Sequence, residues 1–252
     1  METTSSIALS RKTGLQRQMD IVANNIANMN TNGFKGEEVM FVQHLVKSPG
    51  GGKLGGTKLA YVRDIATVTN HSEGPVSTTG NPLDMSIAGN GFFVIQTDEG
   101  DRYTRNGRFK LDDAGQLVTQ TGFPVMSSGN SPFFMNPEDT EIVVSRDGTI
   151  STNNGELGKI KLVRFKNLQE LVHNPNGLFS SEERPGEAAQ DEVDGGRAAQ
   201  IMQSTLEGSN IKPIYEMAKM IEINRKYEGI RTFMNREDER LRGMIKEMGT
   251  KA

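Results

Sequence analysis

Three histidines, His44, His71 and His173, carry the side chains best suited to proton transfer or metal binding near neutral pH. They stand on separate segments and show no H-E-x-x-H spacing, so each reads as a surface or loop residue. A Ser-His-Asp triad is a spatial arrangement that spacing does not decide, yet no G-x-S-x-G elbow supports one. Gly50-Gly51-Gly52-Lys53-Leu54-Gly55 fits the letters of a dinucleotide fingerprint. The fingerprint needs a buried strand before it and a helix after it. Here Lys47-Ser48-Pro49 precedes, and the strand-like Leu59-Ala60-Tyr61-Val62 follows, so the stretch reads as a flexible loop. Asp112-Asp113-Ala114-Gly115 lacks the spaced oxygen ligands of a calcium loop and reads as a turn. With no Cys there is no thiolate ligand or nucleophile. No catalytic residue, cofactor or metal site is expected.

If the residues do not point to chemistry, their spacing points to assembly. Leu15, Met19, Val22, Ile26 and Met29 step by 4, 3, 4 and 3, and the same seam extends back to Lys12 and Ala8. Ser5 or Ser6 is placed to cap this helix, and an Asn-rich run ending at Gly33 to stop it. A second seam, Met220, Ile223, Tyr227, Ile230, Met234, Glu237, Leu241, Met244 and Met248, predicts a helix over 213–248, with Pro213 in its first turn. Met217 and Ile221 add a stripe beside it. The two helices can pair with each other, but their unequal lengths leave apolar surface for other chains. The interface set is therefore Leu15, Met19, Val22, Ile26, Met29, Met217, Met220, Ile221, Ile223, Tyr227, Ile230, Met234 and Leu241.

Between the helices the period changes. Residues 35–58 read as a Gly-rich connecting loop. Residues 59–173 read as a β domain, with strands expected at 59–68, 83–88, 92–96, 102–109, 116–119, 123–126, 141–145 and 158–165. Asp147-Gly148 and Asn154-Gly155 are hairpin dipeptides. Residues 174–210, with an acidic run through Glu182, Glu183, Glu187, Asp191, Glu192 and Asp194, read as a solvated linker. The fold class is α+β: an N-terminal helix in 1–34 and a C-terminal one in 211–252, both coiled-coil-forming, around an all-β, antiparallel, sandwich- or barrel-like domain.

The chain has 252 residues, and Leu, Ile, Val and Phe supply only 57 of them, so one large dense core is not expected. The longest strongly apolar runs, Val39–Val42 and Phe92–Ile95, are far too short to span a membrane. The start, Met1-Glu2-Thr3-Thr4-Ser5-Ser6, has no basic or apolar leader, so no cleavable secretory signal is expected. A net charge of −3 argues against nucleic acid as the partner. The residues alone leave two further functions open, an enzyme on the β domain and a monomeric binding module.

Three stretches narrow this. Ala23-Asn24-Asn25-Ile26-Ala27-Asn28-Met29-Asn30-Thr31-Asn32-Gly33-Phe34-Lys35 resembles the N-terminal signature of the bacterial flagellar rod and hook proteins. Thr79-Gly80-Asn81-Pro82-Leu83-Asp84-Met85-Ser86-Ile87-Ala88-Gly89-Asn90-Gly91-Phe92-Phe93, followed by Tyr103–Phe109, resembles that family's central β motif. Leu206-Glu207-Gly208-Ser209-Asn210-Ile211, with Glu216–Ile221 and Arg225–Glu228, resembles its C-terminal signature. The residues carried over as family motif are Asn24, Asn25, Asn28, Gly33, Phe34, Gly80, Asn81, Pro82, Leu83, Asp84, Gly89, Gly91, Ser209 and Asn210. The resemblance implies a structural subunit whose terminal helices lie together in an inner tube with the β domain outside. It implies copies of itself and other rod proteins as partners, together with the flagellar type III export apparatus. The short connection at 43–60 and the stretch from Leu157 to Phe179 lean towards a proximal-rod type over a distal one.

Overall fold

The computed structural model describes residues 2–47, 58–136, 138, 139, 141–183, 185–187 and 199–249; the side chains of 2–5, 41–47, 58–65 and 187 are not described. The Gly-rich stretch at 50–55 and the acidic residues Asp191, Glu192 and Asp194 lie outside the described residues. The chain divides into two compact units, one of residues 1–27, 37–70 and 212–252, the other of 28–36 and 71–211.

The first unit holds helix α1 (Glu2–Ala27), strands β1 (Glu37–Lys47) and β2 (Lys58–Thr69), and helix α2 (Pro213–Gly249). Because α1 already runs at Glu2, Ser5 and Ser6 lie within it and do not cap its start. It also ends before Met29, which sits past the last turn and off the helical seam. β1 and β2 form an antiparallel hairpin, with a register shift between Met40 and Phe41. An eleven-residue strand over Glu37–Lys47 replaces the loop expected there. Its Val39-Met40-Phe41-Val42 run is strand-forming, and β2 satisfies its backbone groups. α2 has 37 residues, close to the predicted span. Along it Met220, Ile223, Tyr227, Ile230, Met234, Glu237, Leu241 and Met244 are buried or half-buried, while most residues between them are exposed.

The second unit is entirely antiparallel among the described strands, which are β3 (Val76–Thr78), β4 (Met85–Ala88), β5 (Phe92–Thr97), β6 (Gly100–Thr104), β7 (Phe109–Leu111), β8 (Leu117–Thr119), β9 (Ile142–Val144), β10 (Thr149–Thr152), β11 (Gly155–Lys159), β12 (Leu162–Arg164), β13 (Val172–Asn174), β14 (Leu178–Ser180), β15 (Gly186–Glu187), β16 (Gln200–Gln203) and β17 (Thr205–Glu207). The largest sheet has the order β13-β14-β6-β5-β12-β15. β5 explains the four-residue apolar run. Phe93 and Ile95 are buried, and Phe93 joins the cluster with Met85, Phe109, Leu117 and Ile201; Phe92 and Val94 join that with Tyr103, Phe165 and Phe179. A strand buried on both faces needs apolar residues at every position, not at alternate ones. The hairpin signals held: Gly148 and Gly155 take positive φ at the β9–β10 and β10–β11 turns.

The expected linker at 174–210 is the main correction. β14 joins the large sheet, β16 pairs with β4 and β17 with β3. Ile201 and Leu206 are buried, so this segment closes the β core. Among the described residues, no helix is long and apolar enough to cross a membrane.

Candidate assembly surface

Within the first unit, Leu15, Val22 and Ile223 form a buried cluster flanked by Met19, Ile26, Met220, Tyr227 and Ile230. Eight residues expected to contact other chains thus seal the two helices of one chain to each other. Asn25 anchors the end of α1. Its buried amide Nδ2 donates to the Glu37 carbonyl at 2.8 Å, and its Oδ1 accepts from the Glu37 N–H at 3.0 Å. Both polar groups of one backbone residue are satisfied as a sheet neighbour would satisfy them. Glu38 next to it faces Lys219 at 3.9 Å, in the second turn of α2, and Lys12 stands over the Tyr227 ring at 5.7 Å. As α1 is followed backwards α2 runs forwards, so the pair is antiparallel. Ten residues of α1 precede Lys12, and 22 residues of α2 follow Tyr227. About 12 residues of α2, roughly 18 Å, therefore extend past the start of α1.

Leu9 on α1 and Met40 on β1 are exposed, but most of the apolar side chains left over in this unit lie on α2. Ile214 is 82% exposed, Met217 47% and Ile221 55%, spaced one helical face apart, and Ile245 and Met248 are exposed near the far end. Met234 and Leu241 lie further along the same face of α2, half-buried, and Leu241 falls in the part that extends past the start of α1.

Within the second unit the family-motif residues converge from three distant segments. Gly33 has φ +68°, and a Cβ there would lie 2.4 Å from the Arg105 backbone carbon, so only glycine fits. Its N–H donates to the Glu207 carbonyl. Asn210 Oδ1 accepts from the Gly36 N–H at 2.8 Å, and its amide donates to Ser72. Ser209 Oγ accepts from the Ile211 N–H. Asn81 bridges to Asp84 and accepts from the Leu83 N–H, shaping the turn into β4, and the Pro82 carbonyl accepts from Gln203. Leu83 packs on the core cluster. Gly80 and Gly89 take positive φ, and Gly91 packs against Ala199. Thr31 donates to the Asn28 side chain. Asn24 is exposed on α1.

At the centre is an ion cluster that the spacing argument did not single out. Lys35 Nζ lies 2.6 Å from Glu207 Oε1, and Arg105 lies 3.4 Å from Glu207 Oε2, with all three side chains almost fully buried. Lys35 also donates to the Ser72 carbonyl, Arg105 to those of Ile87 and Gly89, and the Gly74 N–H to Glu207. Burial pulls Lys35 and Arg105 below their ordinary pKa values, and the Glu207 carboxylate opposes that shift in both. The clue in the sequence is that all three charges fall inside the stretches that resemble the family signatures.

His71 lies in a loop, half-buried against Phe92 and Phe179, and His173 lies in β13, half-buried and edge-on to Phe34 and Phe179. The side chain of His44 lies outside the described residues. Asp112 accepts from the Ala114 and Gln116 N–H groups, as a turn former does. Among the described residues no group of three acidic or histidine side chains is placed to hold a metal.

Two long terminal helices sealed along one seam, with an apolar face left over and a β unit inserted between them, define a subunit of an extended assembly. Three family models match in chain order: the flagella basal body rod protein over residues 6–35, the flagellar hook protein FlgE/F/G D1 domain over 86–152, and the flagellar basal body rod FlgEFG protein C-terminal region over 202–246. The flagellar basal-body rod protein FlgF of Caulobacter vibrioides is 37% identical over 249 residues, covering 99% of both chains. That of Rhizobium meliloti is 33% identical with the same coverage. A FlgG rod protein of Buchnera aphidicola is 35% identical over 241 residues, covering 86% of this chain and 90% of its own. The chain belongs to the flagellar basal-body rod protein family, whose members are structural subunits.

Proposed function

We propose that this rod subunit works as the FlgF relatives do, polymerising into a proximal segment of the shaft that carries torque from the motor towards the hook. Its neighbours are copies of itself and other rod proteins, and it reaches them through the flagellar type III export apparatus. The observation that carries the reading is the second apolar stripe of α2. Ile214, Met217 and Ile221 stay exposed after the helices of one chain have sealed against each other. Apolar area of this kind is worth about 25 cal/mol per Å² once a neighbour covers it. Contacts of head-to-tail type that do not close produce a helical shaft.

The test is a Met217→Glu, Ile221→Glu double variant. Both positions are exposed, so the isolated chain keeps its helical circular dichroism and its unfolding free energy within about 0.5 kcal/mol per site. In a cell whose only copy is the variant, swimming is lost and the chain is missing from purified basal bodies. Normal swimming overturns the proposal.

A further inference from the structure

Beside the buried ion cluster of the second unit lies a cavity of about 130 Å³, lined by Lys35, His71, Asn90, Gly91, Phe92, Arg105, Arg164, Phe165, Lys166 and Leu168. It is roughly ten times the ~10–15 Å³ that one water requires, so it has room for a small polyatomic guest. The lining offers four cationic side chains and no carboxylate. Glu207, which balances Lys35 and Arg105 with a weaker contribution from Glu73, is not among the lining residues, and neither is Glu73.

The wall also carries buried donors that the fold leaves unused. Arg105 is 4% exposed, and its terminal nitrogens reach Ile87, Gly89 and Glu207, but its Nε–H has no acceptor. Both ring nitrogens of His71 are buried without a hydrogen bond of good geometry, the nearest acceptor being the Leu168 backbone carbonyl. Leaving such groups unmade costs about 1–3 kcal/mol each. An acceptor-only guest of negative charge suits the Arg105 Nε–H and a His71 ring N–H, and both ring N–H groups once the imidazolium forms, and guanidinium is the side chain whose fork best matches an oxyanion.

We propose that this cavity is a binding site for a small oxyanion, held by Arg105, Lys166 and His71 with Arg164 and Lys35 supplying field. The ligand class is a carboxylate or a tetrahedral inorganic anion. A free ion and the acidic side chain of another chain both present that chemistry. The site stands independently of rod assembly, since it lies wholly inside one unit.

His71 reports occupancy. Burial first, and the charges of Lys35, Arg105 and His173 next, push its pKa down to about 4, while the Leu168 backbone carbonyl pulls the other way. Lys166 and Arg164 also face the cavity. A bound anion offsets those cations and gives the imidazolium a partner, so the midpoint rises towards the ordinary 6.5.

The experiment uses the intact chain labelled with nitrogen-15 in histidine, with His71 assigned through a His71→Gln variant. Sodium sulfate and sodium acetate are titrated separately into the millimolar range at constant ionic strength, with chloride making up the balance so that general screening does not change. The expected result is a saturable displacement of the His71 ring signals and an upward move of their pH midpoint. Saturation with acetate assigns the site to carboxylates, and saturation with sulfate alone to inorganic anions. An Arg164→Ala, Lys166→Ala double variant, checked for fold by circular dichroism, loses about tenfold or more in affinity. Lys166→Glu, at an exposed position, is a second variant that keeps the fold and blocks the anion. No saturation by either anion, or equal binding by the variants, overturns the proposal.

Discussion

The Glu207 carboxylate is the direct ion-pair partner of two buried cations, with Glu73 adding a weaker field, and its fate decides the second unit. Replacing it with Gln leaves Lys35 and Arg105 in the interior without a direct ion-pair partner, with only the weaker field of Glu73 to offset them. Breaking a buried pair from one side costs about 3–5 kcal/mol. Urea unfolding of Glu207→Gln is therefore expected to show a loss of that order, with Lys35 deprotonating to relieve part of it. His71 sets a second expectation. Its folded pKa of about 4 lies below the ordinary value, so from about pH 6.5 down to about 4 the unfolded chain takes a proton that the folded chain refuses. Stability falls as pH falls through that window and the effect levels off below it. The full shift corresponds to about 3 kcal/mol, and partial exposure of the ring reduces this to about 1–3. Unfolding free energies measured across the window without added oxyanions check it, and His71→Gln flattens the slope.

At the scale of elements, α2 carries apolar residues on two faces, one sealed against α1 and one exposed. Ile223 faces α1 and is 2% exposed, so Ile223→Ala removes packing from the sealed pair at a cost of about 2–5 kcal/mol. The loss is expected in thermal unfolding followed by helical circular dichroism, in contrast to the near-silent surface positions Met217 and Ile221. The seam from Met220 to Leu241 was legible because a 3-4 period is local: every turn of helix repeats the evidence of its face. β1 was not, because Glu37–Lys47 carries no clean alternation and its pairing partner lies across a Gly-rich stretch. β16 and β17 were missed for a related reason. Ile201 pairs opposite Ile87 and Leu206 opposite Ser77, and nothing within 200–207 names those distant partners. The ion cluster hides in the same way. Lys35, Arg105 and Glu207 each look like solvated charges until the fold brings them together. Resemblance marked the motifs around them without saying which residues they would meet.

For the whole molecule, the question is why a chain with so much uncovered helix does not assemble before it should. A single face of α2 is about 55 Å long and about 10 Å wide, which is less than the ~800 Å² per partner of a stable pairwise interface. Two free chains meeting along it therefore hold weakly, whereas a chain docking at a growing end touches several neighbours at once and gains from each. The overhang of α2 past Glu237 offers surface that α1 cannot reach, with Ile245 and Met248 exposed on it. Ending the chain at Glu237 removes the overhang while leaving the sealed seam from Leu15 to Ile230 intact. The shortened chain is expected to remain a folded monomer by sedimentation, with an unfolding midpoint close to that of the full chain. It is also expected to fail to enter rods, so that cells carrying it alone do not swim. Swimming at the normal rate with the shortened chain would place the decisive contacts elsewhere. Loss of the fold itself would show that the overhang serves the monomer and not its neighbours.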